Sequence, residues 1–348
     1  MAYAGVKASE VEGVVGAALV SCGPAVLAVS GGLDSMALLT ATSRLPARTR
    51  KNVTVATFDH GTGKAAGRAA ALVARQAFRS GFPCVTGRAS TIGTREEEWR
   101  RGRWQFLEQV GSKQEAKVVT AHNLDDQVET VFMRILRDAG PRGLAGLYAE
   151  SEIIRPLLNV SRATLTTYAQ QRNVAFVQDP SNCDRKHLRN RIRLDILPSI
   201  VSQHPGFPDE LLSLARESAD WRRSLEDLVG SVGAEAEQDG TLRISRSSLA
   251  GYDADSLRVL WPALAARASV VMDRRGTQRA AEFTIKGATG GAIQLSGGVE
   301  IVMRRDHMLL RRWRAPIAIA SAVSLLTAPS VSSMASLTPS SSVFIRLV

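Results

Sequence analysis

Over the first 200 residues, short apolar runs alternate with longer stretches whose apolar positions recur at helical spacing. The runs "AVLAV" (25–29), "VTVATF" (53–58) and "AKVVTA" (116–121) each stop just before polar residues, as strands of a buried sheet do. Helical patterns follow at 35–44, 65–80, 95–110 and 124–137, and in the last Leu124, Val128, Val131 and Ile135 share one face. This alternation predicts an α/β fold, a doubly wound parallel sheet covered on both sides. In such a sheet ligands bind at the carboxyl ends of the strands.

The pattern changes near residue 205. The stretch 206–238 reads as helix, and "GAIQLSGGVEIVMRRDHMLLRRW" (291–313) as a β-hairpin turning at Ser-Gly-Gly. A second, smaller and mainly helical domain is therefore expected. Residues 315–345 carry no charge and are rich in Ser, Ala and Pro, a composition that does not specify a packed core. The expected organisation is 1–204, 205–314 and a low-complexity tail, 315–348.

A length of 348 residues suits two domains, and 45% hydrophobic with 22% charged residues is the balance of a globular protein. Charge changes the picture. The chain has 44 Lys and Arg against 33 Asp and Glu, a net +11, which points to a polyanionic partner, nucleic acid first among them. A basic solvated face with no partner is the plain alternative. Cys22, Cys84 and Cys183 are scattered, which argues against a zinc ribbon, an iron–sulfur cluster or a disulfide framework and suits a reducing compartment. No charged leader precedes a long apolar core, and "IAIASAVSLL" (317–326) falls short of the roughly 18 residues of a span. A cytoplasmic protein without a membrane anchor is expected.

The candidate chemistry begins at "VLAVSGGLDSMALL" (26–39). If a strand runs into a helix here, Ser30, Gly31, Gly32, Leu33, Asp34 and Ser35 form the turn between them. Two glycines let backbone N–H groups close around an anion, and the helix N-terminus adds partial positive charge. Asp34 would repel a bare phosphate, so its place in the loop implies a Mg²⁺ ion between the two. A glycine turn with Asp as a helix cap is the simpler reading.

Three further stretches bear on the substrate. Asp59 and His60 end the second strand, where they could border a nucleoside or merely cap the strand. In "TAHNLDDQVET" (120–130), His122 lies at a strand end, with Asp126 and Glu129 on one face of the next helix. Such a set suits a cation or an amine; compensation of the helix dipole is the ordinary alternative. Finally, Arg155, Arg189, Asn190 and Arg193 lie in a basic stretch suited to phosphate or base contacts.

"SGGLDS" resembles the PP-loop of the ATP pyrophosphatase superfamily, whose members adenylate a substrate and release pyrophosphate. The order of motifs is more specific. "SGGLDS", "FDHG" (58–61), "AHNLDDQVET" (121–130), "RDAGPRGLAGL" (137–147), "RPLL" (155–158) and "DPSNCDRKHLRNRIRLDILP" (179–198) together resemble the tRNA(Ile)-lysidine synthases.

That resemblance implies an enzyme using ATP and Mg²⁺ to attach free lysine to C2 of the first anticodon cytidine of a tRNA(Ile) with a CAU anticodon. An adenylated cytidine would be the intermediate, and lysidine, AMP and pyrophosphate the products. It further implies that Asp34 holds the metal and that Asp126 and Glu129 bind the lysine ammonium. His122 or a carboxylate would take the amine's proton. Arg103, in "EEEWRRGRWQFL" (96–107), and Arg193 would neutralise charge near the α-phosphate or the tRNA backbone, with Arg155, Arg189 and Asn190 as tRNA contacts.

The chain departs from the family's pattern in lacking a Leu-Arg after "DHG" and in having Asn123 where a second His is frequent. A PP-loop tRNA thiolase and a non-catalytic nucleotide-dependent RNA-binding protein are the alternatives; scattered cysteines weigh against the first and the carboxylates against the second. The oligomeric state is open, a homodimer included.

Overall fold

A computed structural model of the chain describes residues 7–61, 63–89, 96–178, 184–237, 239–313 and 346–347. The described residues divide into two compact units at the Ala219–Asp220 step, with Arg346–Leu347 counted in the first. The tail expected from 315, apart from those two residues, lies outside the described residues, as do Asp179 to Cys183 of the basic stretch.

The first unit is built on a parallel sheet of β1 (Ala25–Ala28), β2 (Val53–Asp59), β3 (Cys84–Arg88) and β4 (Lys117–Val119). Their order is β3-β2-β1-β4, and Arg346–Leu347 adds an antiparallel edge to β3. Leu27 of β1 registers with Val55 of β2 and Val119 of β4. Side chains alternate across the sheet. Ala25 and Leu27 pack with Met36, Leu38, Val73 and Leu165 on one side, while Val26 packs with Phe106, Leu107 and Val110 on the other. Helices on both faces leave the strands no solvated side, which is why they read as continuous apolar runs.

Three of these strands follow the apolar pattern of the sequence, and β3 does not. Its residues Cys84-Val85-Thr86-Gly87-Arg88 include a glycine, which ordinarily weakens a strand. Packing explains it: a Cβ on Gly87 would lie 2.6 Å from the ring of Phe106 and 2.8 Å from that of Phe58. The helix Leu124–Ile135 matches its expected stripe at Leu124, Val128 and Val131, all buried, whereas Ile135 in its last turn is 41% exposed.

The chain fills β1, β2 and β3 in one direction and then returns to place β4 on the other side of β1. A crevice therefore opens at the carboxyl ends of β1 and β4, where connections leave in opposite directions.

In the second unit an antiparallel sheet of β5 (Glu235–Ala236), β6 (Leu242–Ser245), β7 (Ala292–Leu295), β8 (Val299–Met303) and β9 (His307–Arg312) runs in the order β5-β6-β9-β8-β7. The expected hairpin is β7 and β8, and Gly297 and Gly298 at its turn have φ of +80° and +71°, a backbone open mainly to glycine. The pattern extends one strand further than a hairpin, because β9 pairs with β8 as well. Helices Ala254–Arg267 and Arg274–Lys286 start from Asp253 and Asp273, whose side chains accept N–H bonds from Ser256 and Gly276. Buried Trp261 donates its Nε1–H to Thr284 at 2.9 Å.

Candidate functional site

The turn after β1 is built from its own small residues. Ser35 Oγ accepts from the Ser30 N–H at 3.1 Å, lies 3.1 Å from Ser30 Oγ and donates to the Gly32 carbonyl at 3.0 Å. Gly31 has φ +86°, and a Cβ there would stand 2.8 Å from that of Ala69. Its carbonyl accepts from Val177 N at 2.9 Å. Gly32 caps the helix Leu33–Ser43 without a side chain over the helix N-terminus. The result is a tight turn whose N–H groups and helix dipole are available to an anion.

Asp34, in the first turn of that helix, has two unlike oxygens. Oδ2 accepts from Asn123 Nδ2 at 3.0 Å and lies 3.5 Å from an Arg162 nitrogen. Oδ1 is buried and has no hydrogen-bond partner among the described residues. Burial, followed by the carboxylate of Asp126, pushes the Asp34 carboxyl up against the opposing pull of Arg162. An orphaned, desolvated carboxylate oxygen beside an anion cradle fits a Mg²⁺ ion that takes one protein ligand and completes its shell with phosphate and water. Among the described residues no group of three His, Cys, Asp or Glu could hold a metal alone.

At the end of β4, Thr120 Oγ1 meets His122 Nδ1 at 2.7 Å. Burial lowers the imidazole to about 4, only partly opposed by Asp126, so His122 is neutral at pH 7. Asn123 is the helix cap: its Oδ1 accepts from Asp126 N at 3.0 Å and its own N–H donates to Asp126 Oδ2 at 3.1 Å. This reciprocal box satisfies two backbone donors and fixes the first turn that carries the carboxylates.

Asp126 and Glu129 sit in a cage of arginines. Asp126 Oδ1 is approached by Arg162 at 3.1 Å, Arg189 at 3.0 Å and Arg193 at 3.4 Å. Glu129, 2% exposed, takes Arg193 Nε at 2.6 Å and an Arg162 nitrogen at 3.4 Å on Oε1, and Arg189 Nε at 2.8 Å and an Arg193 nitrogen at 2.9 Å on Oε2. Burial alone would raise both carboxyls, but the guanidiniums outweigh it and hold both below their ordinary values. Arg189 and Arg193 reach the cage from one face, four residues apart. They span the junction of the helix Leu188–Arg191 with the π-helical turn Ile192–Ile196, a distortion frequent at functional sites.

The structure thus brings together Ser30 to Ser35, Asp34, His122, Asp126, Glu129, Arg189 and Arg193. Arg103 is half-buried, and desolvation followed by repulsion from Arg100 and Arg189 lowers its guanidinium. Arg155 bonds instead to Ser151 Oγ at 2.8 Å, and Asn190 Nδ2 donates to the Asp184 carbonyl at 2.9 Å. Asp59 accepts from Gly61 N at 2.9 Å, and His60 lies edge-on to Phe58 with centroids 5.0 Å apart. Each of these last four therefore has a local structural contact.

Three participants are not singled out by motif reading. Arg162 follows the "RPLL" segment, and its position at a helix start gives no hint of a partner 33 residues earlier. Asn123, read only as a missing imidazole, is fully buried as cap and tether. Gln127, on the same helix as the carboxylates, is buried and pins the 145–147 turn, donating to Ala145 O at 2.9 Å and accepting from Leu147 N at 2.6 Å. A polar residue on the otherwise apolar face of an amphipathic helix was the available signal.

Comparison with known proteins shows the family. The PP-loop domain family matches residues 18–200. The chain is 34% identical over 307 residues to a tRNA(Ile)-lysidine synthase of Salinispora arenicola, an alignment covering 83% of this chain and 91% of that one. It is 34% identical over 257 residues to the tRNA(Ile)-lysidine synthase of Burkholderia pseudomallei, covering 69% of this chain and 51% of the other. It therefore spans nearly the whole of one relative and about half of the other. With a PP-loop match over more than half its length and a relative aligned almost end to end, the chain belongs to the tRNA(Ile)-lysidine synthase family of PP-loop enzymes.

Proposed function

We propose that this ATP-using, tRNA-modifying PP-loop enzyme ligates free lysine to C2 of the wobble cytidine of a tRNA(Ile) bearing a CAU anticodon. The observation that carries the reading is the meeting of the Ser30–Ser35 phosphate turn with the Asp126 and Glu129 carboxylates, through Asn123 and Arg162.

In the first step the cytidine C2 oxygen attacks the α-phosphorus of ATP and pyrophosphate leaves. The Ser30–Ser35 turn and its helix N-terminus hold the phosphates, and Asp34 would hold Mg²⁺ through its orphaned Oδ1. Bound there, Mg²⁺ would withdraw charge from the phosphate oxygens. Arg103 would face the negative charge that develops as the bond to pyrophosphate breaks.

In the second step the lysine amine attacks C2 and AMP leaves with the former C2 oxygen. The ammonium must first be bound and deprotonated. Asp126 and Glu129, held ionised by their arginines, supply the negative charge that binds the ammonium. One of these carboxylates or His122, itself a weak base in the free protein because burial lowers its imidazole to about 4, takes the proton. In the free protein, however, both Glu129 oxygens and Asp126 Oδ1 are taken by guanidiniums. Phosphates of ATP and tRNA are stronger partners for Arg189 and Arg193 than carboxylates already shared among three cations. Their arrival would draw these arginines off and leave room for the ammonium, so lysine enters last. The net +11 charge, most of it in residues 1–204, supplies attraction for the tRNA, and residues 205–314 are proposed as its recognition domain.

The reading is tested by incubating the protein with Mg-ATP and an unmodified tRNA(Ile) transcript without lysine. Pyrophosphate release that depends on the transcript supports it; release without tRNA, or none, speaks against it.

A further inference from the structure

Three carboxylates from two elements far apart in sequence meet at this site, and one side chain touches all three. Arg162 places one terminal nitrogen 3.5 Å from Asp34 Oδ2 and 3.1 Å from Asp126 Oδ1, and the other 3.4 Å from Glu129 Oε1. Arg189 and Arg193 pair with Asp126 and Glu129. Of these three arginines, Arg162 is the one that also pairs with Asp34 of the phosphate turn among the described residues.

Arg162 is anchored through its main chain as well as its side chain. It is the first residue of the helix Arg162–Gln171, whose cap Ser161 accepts from Thr164 N. Its backbone N–H donates to Asp125 Oδ2 at 2.7 Å. Asp125 is adjacent to Asp126, so main chain and side chain of Arg162 grip the same helical turn from two directions. Leu165, Tyr168 and Ala169 bury that helix in the core, and Tyr168 OH donates to Glu12 at 3.0 Å. The guanidinium therefore projects from a fixed scaffold.

The physical need is plain. Like charges brought together in a desolvated site repel strongly, and Asp34 would turn away from Asp126 unless a cation stood between them. A planar guanidinium presents donors in several in-plane directions, whereas an ammonium is a single point of charge. Arg162 can therefore fix the carboxylates in position as well as neutralise them.

We propose that Arg162 is a positioning residue that locks Asp34 to Asp126 and Glu129, so that the adenylation half-site and the lysine half-site keep one geometry. This inference rests on the function proposed above and adds a residue to it. Arg162 makes no contact with a reacting atom in this account; it acts through the carboxylates. Unlike Arg189 and Arg193, it stays in place when phosphates bind, because its backbone is tied to the helix that it serves.

The test uses the full chain with Arg162→Gln and Arg162→Lys. Transcript-dependent pyrophosphate release and lysine incorporation are measured per folded molecule. Arg162→Gln is expected to lower kcat of both steps together by about tenfold or more, as small misplacements of reacting groups do, with KM for tRNA little changed; Arg162→Lys is expected to recover part of both. Normal turnover in Arg162→Gln, or loss of one step alone, overturns the inference.

A readout independent of turnover separates this from the function itself. Arg162→Gln is expected to lower the unfolding midpoint more in the native background than in Glu129→Gln, since the interaction is with that charge. Equal shifts in the two backgrounds overturn it. If the unaltered protein performs neither reaction, the proposed function fails and this cycle still decides the role of Arg162.

Discussion

Asn123 Nδ2 donates a 3.0 Å hydrogen bond to Asp34 Oδ2 across 89 positions of sequence. The same side chain caps the helix that carries Asp126 and Glu129. Replacing Asn123 by Ala should therefore cost about 1 kcal/mol of stability through the lost cap and lower adenylation by freeing Asp34. Asn123→Asp keeps a capping oxygen but sets a carboxylate against Asp34. Because Asn123 is fully buried against Asp34 and Asp126, that added carboxylate should make this variant the less stable of the two and the poorer in pyrophosphate release, as thermal unfolding and the release assay would show.

The proposed mechanism assigns Asp34 and Glu129 to different steps. Asp34→Ala is expected to abolish both pyrophosphate and AMP formation. Glu129→Ala should retain some adenylation while blocking lysine transfer. Equal loss of the two half-reactions in Glu129→Ala would contradict that division of labour.

In the proposed mechanism the arginine cage imposes an order on binding. Calorimetry should detect no lysine binding to the free protein, and clear binding once a non-hydrolysable ATP analogue and the tRNA transcript are present. Equal lysine affinity in both states would mean that Arg189 and Arg193 do not need to move.

How much of this was legible in the sequence depends on the range of each interaction. The phosphate turn is contiguous, and Ser30, Gly31, Gly32, Asp34 and Ser35 could be placed from a strand, two glycines and a helix start. Asp126 and Glu129 were legible as one helix face. Their guanidinium partners were not, because Arg162, Arg189 and Arg193 come from 33 to 67 residues away and a basic stretch does not say which of its charges turn inward. Arg155 and Asn190 illustrate the same limit in reverse. Both belong to basic or polar motifs, yet Arg155 bonds to Ser151 and Asn190 to the Asp184 carbonyl. In the fold, β3 was missed for a related reason, since Gly87 answers to the rings of Phe58 and Phe106 rather than to its own strand propensity.

His122 gives the site a pH signature. Its folded value, about 4, lies below the ordinary 6.5, so between these values the unfolded chain binds a proton that the folded one does not. The stability it contributes is complete above pH 6.5 and is lost as pH falls towards 4, a difference of about 3 kcal/mol at most. His122→Gln should remove this component, leaving a flatter dependence of the denaturant midpoint on pH over that interval. An unchanged slope would show that the imbalance lies elsewhere.

The central claim is tested most directly by incubating the protein with Mg-ATP, labelled lysine and a tRNA(Ile) transcript carrying a CAU anticodon, following label on the tRNA together with AMP. Label at the first anticodon cytidine, with one AMP released for each lysine attached, is the expected result. AMP and pyrophosphate released while the tRNA stays unlabelled would contradict lysine as the nucleophile, and tight tRNA binding with ATP left intact would contradict an enzyme altogether.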